Sequence, residues 1–242
     1  MQSSTTSLLP PLPSLPILID ESNDDYIRRS YSFTNTAHWV IPGILMQGGR
    51  PTTVTQIKKI VRNTNCETFV CLQAECIPEQ NSILLHDGGV DDWKYNPLML
   101  PAYGNELIHA MNETYSPSPS PIFLHYGIRD MSTVKSMDGL MCLISILANR
   151  IKAGETIYLH CYGGKGRAGL VAACLLGELY NDLDAESALE YINSLCQLRN
   201  MKGQEEGEEE VMSYSSPETQ EQKRQVVEFY RRKNTQQRGE IE

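Results

Sequence analysis

The 242-residue chain has no apolar run of 18 residues, which excludes a membrane-spanning helix of ordinary length. It is also short of positive charge, with 21 Lys and Arg against 30 Asp and Glu and a net charge of −9. An excess of that sign opposes general nucleic-acid binding and docking on anionic membranes, so no nucleic-acid partner and no membrane insertion are expected. The seven cysteines include no Cys-x-x-Cys pair, and the recurrence of Cys66, Cys71 and Cys76 every five residues fits no zinc spacing. Buried thiols in a reducing compartment, cytoplasmic or nuclear, follow, with no metal and no other cofactor. The N-terminal LLPPLPSLPILI is apolar but broken by prolines and lacks the basic start of a secretory signal, and it reads first as a flexible arm, with a polyproline-type ligand or a short strap packed on the domain as alternatives.

What the chain does have is concentrated between Thr156 and Tyr180. A short β-like run, TIYLH, delivers Cys161 into a glycine-rich loop ending at Arg167, and the helix-patterned GLVAACLLGELY follows at once. Tyr162, Gly163, Gly164, Lys165 and Gly166 are enough residues to curl the backbone into a cup with inward N–H groups, a nest for a phosphoryl group. The N-terminus of the following helix adds free donors and the positive end of its dipole. Arg167 offers a planar fork to two phosphate oxygens. The same field favours thiolate over thiol, which makes Cys161 a nucleophile aimed at phosphorus.

Two other loops share parts of this pattern. Gly164, Gly166 and Gly169 spell the dinucleotide fingerprint, but a Rossmann unit needs a second strand with an acidic residue about 20 positions on. Here AESALEYINSLCQL carries helical spacing instead. A nucleotide triphosphatase loop needs Ser or Thr after its lysine, and Lys165 is followed by Gly166.

HCYGGKGRAG, His160 to Gly169, resembles the signature of the protein tyrosine phosphatase superfamily: His-Cys, five residues, Arg, then Ser or Thr. The dual-specificity branch fits best. The HCYGG opening is similar to that of cyclin-dependent kinase-associated phosphatases, and GKGR resembles phosphoinositide phosphatases. The likeness extends over roughly 39–230. It implies a three-layer α/β/α fold, a central mixed and mostly parallel sheet flanked by helices. It also implies phosphate-monoester hydrolysis without metal, through a phospho-cysteine, on phosphorylated proteins bearing phosphotyrosine and also phosphoserine or phosphothreonine. A phosphoinositide or an RNA 5′-phosphate is the alternative substrate, and a slow phosphoprotein-binding adaptor the alternative role.

Leaving-group departure needs a proton, so a carboxyl should face the cup. Asp130 follows the alternating IFLHYGI and stands 161 − 130 = 31 positions before the nucleophile. GIRD resembles the family's acid loop with Gly127 in place of Pro. Asp138 reads as the start of the next helix, and Asp91 with Asp92 as a solvated loop. Since thiolate and protonated acid must coexist, activity is expected to be greatest at mildly acidic pH. His160 is assigned loop support, and Lys165 either draws anions to the rim or is solvated. Ala168 departs from the family's Ser or Thr, which would place a hydroxyl near the sulfur, so slow release of phosphate from the phospho-cysteine is expected. Gln222 resembles a glutamine of this family and is kept as a supporting residue.

The pattern divides the chain into a flexible arm (1–30), a catalytic domain (31–232) and a fraying tail (233–242). Strands are expected near Ile44 to Gly48, Thr68 to Leu72, Trp93 to Tyr95 and Phe123 to Tyr126. Helices are expected over Val54 to Val61, before SPSPSP, over Leu140 to Ile151 and over Ala185 to Leu195. Ser216 and Pro217 are expected to open the last helix. The acidic KGQEEGEEE near 200–214 reads as a mobile insert.

Overall fold

The computed structural model describes residues 9–12, 29–85, 87–95, 99–115, 120–200 and 215–239. Among these residues six strands form one sheet: β1 (Ala37–Ile41), β2 (Leu45–Gly49), β3 (Thr68–Gln73), β4 (Ile83–Leu84), β5 (Ile122–Ile128) and β6 (Ile157–Cys161). Their order is β1-β2-β6-β3-β5-β4, with β1 antiparallel to β2 and every other pairing parallel. Among the described residues the α-helices are α1 (Val54–Thr64), α2 (Gly104–Thr114), α3 (Met137–Lys152), α4 (Gly166–Leu179), α5 (Ala185–Asn200) and α6 (Gln220–Gly239). They flank the mixed sheet as the resemblance implies.

β6 is buried along its whole length between β2 and β3, which explains why IYLHC reads as a continuous core strand. One sheet face carries a run of rings. Phe69 lies 6.0 Å from both Phe123 and Tyr158 between ring centroids, and Tyr103, just before α2, caps Phe123 edge-on. α4 packs on β6 and β2, with α3, α5 and α6 gathered round it. That burial accounts for the almost wholly apolar sequence of α4, whose residues 166–177 are all buried. Local signals set the helix starts: Thr53 and Gln56 close a capping box on α1, and Ser136 Oγ accepts from Gly139 N (3.0 Å) on α3.

Four expectations need correction. Trp93 lies in a 3₁₀ turn, Asp92–Lys94, because Lys94 N and Tyr95 N donate back to Asp91 O and Asp92 O, so no strand forms there. α6 begins at Gln220, where Thr219 Oγ1 accepts from Gln222 N (3.1 Å), and Ser216 is used elsewhere. The tail expected to fray from residue 233 instead continues α6 to Gly239. Within the arm, Leu9 and Leu12 pack against the core and Pro10 O accepts from Tyr180 Oη (2.8 Å), so this stretch is docked. β1, which the pattern did not mark, extends the sheet beyond β2. The acidic insert 201–214 lies outside the described residues.

Candidate active site

Cys161 ends β6 and is buried, and α4 starts five residues later at Gly166. Between them the chain turns with every carbonyl held from behind. Arg50 N donates to Cys161 O (2.7 Å) and Tyr162 O (3.2 Å). Arg199 Nη1 donates to Gly163 O (3.2 Å) and its Nη2 to Gly164 O (2.9 Å). Gln47 Nε2 also reaches Gly164 O (2.9 Å), and Ser216 Oγ donates to Lys165 O (2.9 Å). In a planar trans peptide the N–H points opposite to the C=O, so outward carbonyls at 161–165 turn the N–H groups of 162–166 to the other side, into the loop. Gly164 adopts φ +68°, and a Cβ on it would collide with the Gly48 carbonyl, so only glycine fits this curvature.

The loop's side chains divide sharply. Tyr162 is 64% exposed on the rim, so the cup has only its backbone to use, whereas Arg167 is 1% exposed. Arg167 Nη1 donates to both carboxylate oxygens of Glu75 (3.0 and 2.8 Å) and to Ile128 O (3.0 Å). Its Nε and Nη2 make no hydrogen bond with the protein, which leaves two buried donors on one edge of the fork. Asp130 Oδ1 lies 2.9 Å from Nη2 as an ion pair, and Asp130 itself is 66% exposed. The structure therefore brings Cys161, Arg167 and Asp130 to one place. Pairing with Arg167 holds the Glu75 carboxyl below the usual range, although burial pulls the other way.

His160 is buried beside the cup, with Nε2 2.7 Å from Tyr103 Oη. Burial and the Arg50 charge push it down to about 3, so the imidazole is neutral. Ala168 is fully buried in the first turn of α4. Lys165 is half-buried at the N-cap of that helix. Gln222 lies next to Gly166, but its carboxamide is already engaged: Oε1 accepts from Glu218 N and Thr219 N (both 3.1 Å), and Nε2 donates to Ser132 O (3.0 Å). It ties the start of α6 to the loop bearing Asp130.

Neighbouring carboxylates have other partners. Asp92 forms a two-bond pair with Arg129 (2.7 and 2.9 Å) at the stem of the acid loop, Asp91 meets Lys94 (2.6 Å), and Asp138 meets Arg232 (3.3 Å). Asp91 and Asp92 thus belong to ion pairs, which the reading as a solvated loop did not foresee. Gln225 pins the acid loop from α6, accepting from Val134 N (2.9 Å) and donating to Val134 O (2.7 Å). Gly127 stands where a Cβ would strike the Val90 carbonyl, which leaves no room for the family's proline.

Arg50, Gln47, Glu75 and Arg199 were not singled out by sequence, and Ser216 was marked only as a helix start. Arg199 looked like an ordinary basic residue in a last helical turn. Its partners lie on β1, on β2 and in the loop, so no local pattern announces it.

Residues 114–204 match the family model described as the Swiss Army Knife protein, DSP-PTPase phosphatase domain. Protein 067L of Invertebrate iridescent virus 3, which carries the name of a tyrosine phosphatase, is 39% identical over 64 residues, covering 25% of this chain and 27% of that protein. PTPMT1 of Arabidopsis thaliana, named as a phosphatidylglycerophosphate phosphatase, is 27% identical over 93 residues, covering 35% and 27% respectively. This chain spans about a quarter of the length of those curated relatives. A crystal structure of PTPMT1 in complex with PI(5)P superposes with a TM-score of 0.52 at 15% identity, over 83% of this chain and 97% of that one, a likeness of fold.

Proposed function

We propose that this chain, whose residues 114–204 match a dual-specificity-type phosphatase domain, is a cysteine-based phosphatase that hydrolyses phosphate monoesters of phosphorylated proteins through a phospho-cysteine. Phosphotyrosine, with phosphoserine or phosphothreonine, is the proposed substrate group. The observation that carries this reading is the loop itself: five consecutive carbonyls turned outward round a cysteine, closed by a buried arginine whose Nε has no protein partner and whose Nη2 meets only the exposed Asp130.

The Cys161 sulfur attacks phosphorus, and the bond to the ester oxygen breaks. Asp130 gives that oxygen a proton. Asp130, now a carboxylate, takes a proton from water, which attacks phosphorus and releases phosphate and the Cys161 sulfur. The inward amides and Arg167 hold the equatorial oxygens, and they gain most as charge builds in the transition state. Substrate phosphate displaces Asp130 from Arg167 Nη2, and the freed carboxylate takes up from solvent the proton that it then gives to the leaving oxygen.

The test is continuous release of phosphate from p-nitrophenyl phosphate over many turnovers, lost in Cys161→Ser. A single burst with no later product would instead support a phosphoprotein-binding adaptor, the role Ala168 favours. Lipid phosphate is the second substrate reading, supported by the likeness to PTPMT1. Phosphopeptides, phosphoinositides and 5′-phosphorylated RNA compared in one assay decide among them. The acidic net charge favours the peptides.

A further inference from the structure

After β3 the chain turns at 74–75, and Cys76 N donates to Gln73 O (3.2 Å), which folds Cys76 back toward the strand that carries Cys71. Both cysteines line one pocket with Phe69, Pro101, Tyr103 and Phe123, where Cys71 is half-buried and Cys76 buried. The neighbouring Cys71 and the Arg50 charge hold the Cys76 thiol below its ordinary range, while burial pushes Cys71 up. One thiol is thus prepared to react and the other to resolve it. Cys66, the third member of the recurrence, is pushed up to about 12 by burial. Glu75, the residue before Cys76, is the one whose carboxylate grips Arg167 through both oxygens.

We infer that Cys71 and Cys76 are a peroxide-sensitive disulfide site, and that closing the bond disturbs the grip of Glu75 on Arg167. The Cys76 thiolate attacks one oxygen of hydrogen peroxide, giving the sulfenic acid and hydroxide, which takes up a proton to become water. The Cys71 sulfur then attacks the Cys76 sulfur. Its proton leaves with the sulfenic hydroxyl as a second water, so two thiols are oxidised and one peroxide is reduced. This pair does not include the Cys161 nucleophile.

The full-length Cys161→Ser variant isolates the chemistry. Treated with hydrogen peroxide, it should lose two hydrogens, about 2 Da, and on alkylation take up two fewer alkyl groups than the untreated protein, with the link mapped by fragmentation to residues 71 and 76 and reversed by dithiothreitol. The loss should vanish when Cys76→Ser is added and persist when Cys66→Ser is added. No mass loss, or loss that survives Cys76→Ser, overturns the site. Amide hydrogen exchange over 162–167 should speed up in the oxidised protein, and unchanged exchange there overturns the link to Arg167. Neither readout uses phosphatase activity, so failure of the phosphatase reading is seen separately in the p-nitrophenyl phosphate assay.

Discussion

Arg199 is 3% exposed, and among the described residues it has no carboxylate partner. A buried guanidinium is tolerable only when its N–H groups find acceptors. Here they are the carbonyls of Gln47, Gly163 and Gly164 and the His38 Nδ1 (2.6 Å). Lysine cannot reproduce that planar fork. Arg199→Lys is expected to cost about 3 kcal/mol of stability, measured by urea denaturation, and to weaken phosphate binding more than any rim substitution does. Ala168 acts on a different step. Restoring a hydroxyl with Ala168→Ser, the smaller change for a fully buried position, should speed breakdown of the phospho-cysteine roughly tenfold or more. Rapid-quench kinetics would show the pre-steady-state burst shrinking, and an unchanged burst refutes the assignment.

At the scale of elements, α6 is the brace of the acid loop. The loop leaves β5 with its stem held by the Arg129–Asp92 pair, passes Asp130, and is then fastened to α6 by Gln222 at Ser132 and by Gln225 at Val134. Gln225→Ala removes both bonds to Val134 and should cost roughly 1–2 kcal/mol. Its signature is a fall in kcat with little change in the affinity for inorganic phosphate, because Asp130 is displaced while the cup is untouched. Equal losses in both would show that α6 supports the cup as well. The strands and helices of this assembly were largely legible, because β3, β5 and β6 are dense in buried apolar residues and α1 and α3 carry clear helical spacing with Thr53 and Ser136 as caps. The turn at Trp93 misled because aromatic residues resemble a strand, whereas the Asp91 and Asp92 carbonyls close a 3₁₀ turn there.

For the molecule as a whole, acid stability is set partly by two buried histidines. Burial and the adjacent Arg199 lower His38 well below its ordinary value, and burial with Arg50 takes His160 down to about 3. In the unfolded chain both take up a proton near pH 6.5. Between about pH 6.5 and pH 3 the unfolded state therefore binds more protons than the native state, and stability falls as pH falls, by at most about 1.4 kcal/mol per pH unit for each histidine. Thermal melts from pH 7 to pH 5 should show this slope, and His160→Gln should flatten it. An unchanged slope would mean that His160 takes up its proton in the native state.

What the sequence determined by itself is the cup's contiguous part. Cys161, the glycines and Arg167 follow one another along the chain, so their chemistry is local and can be read from spacing alone. Tertiary structure decided what keeps that loop curled. The donors behind Gly164 come from residues 117 and 35 positions away, and Arg167 is gripped by Glu75 from 92 positions away. Hydrogen bonds at such separations exist only once the sheet has brought β2, β3 and α5 together.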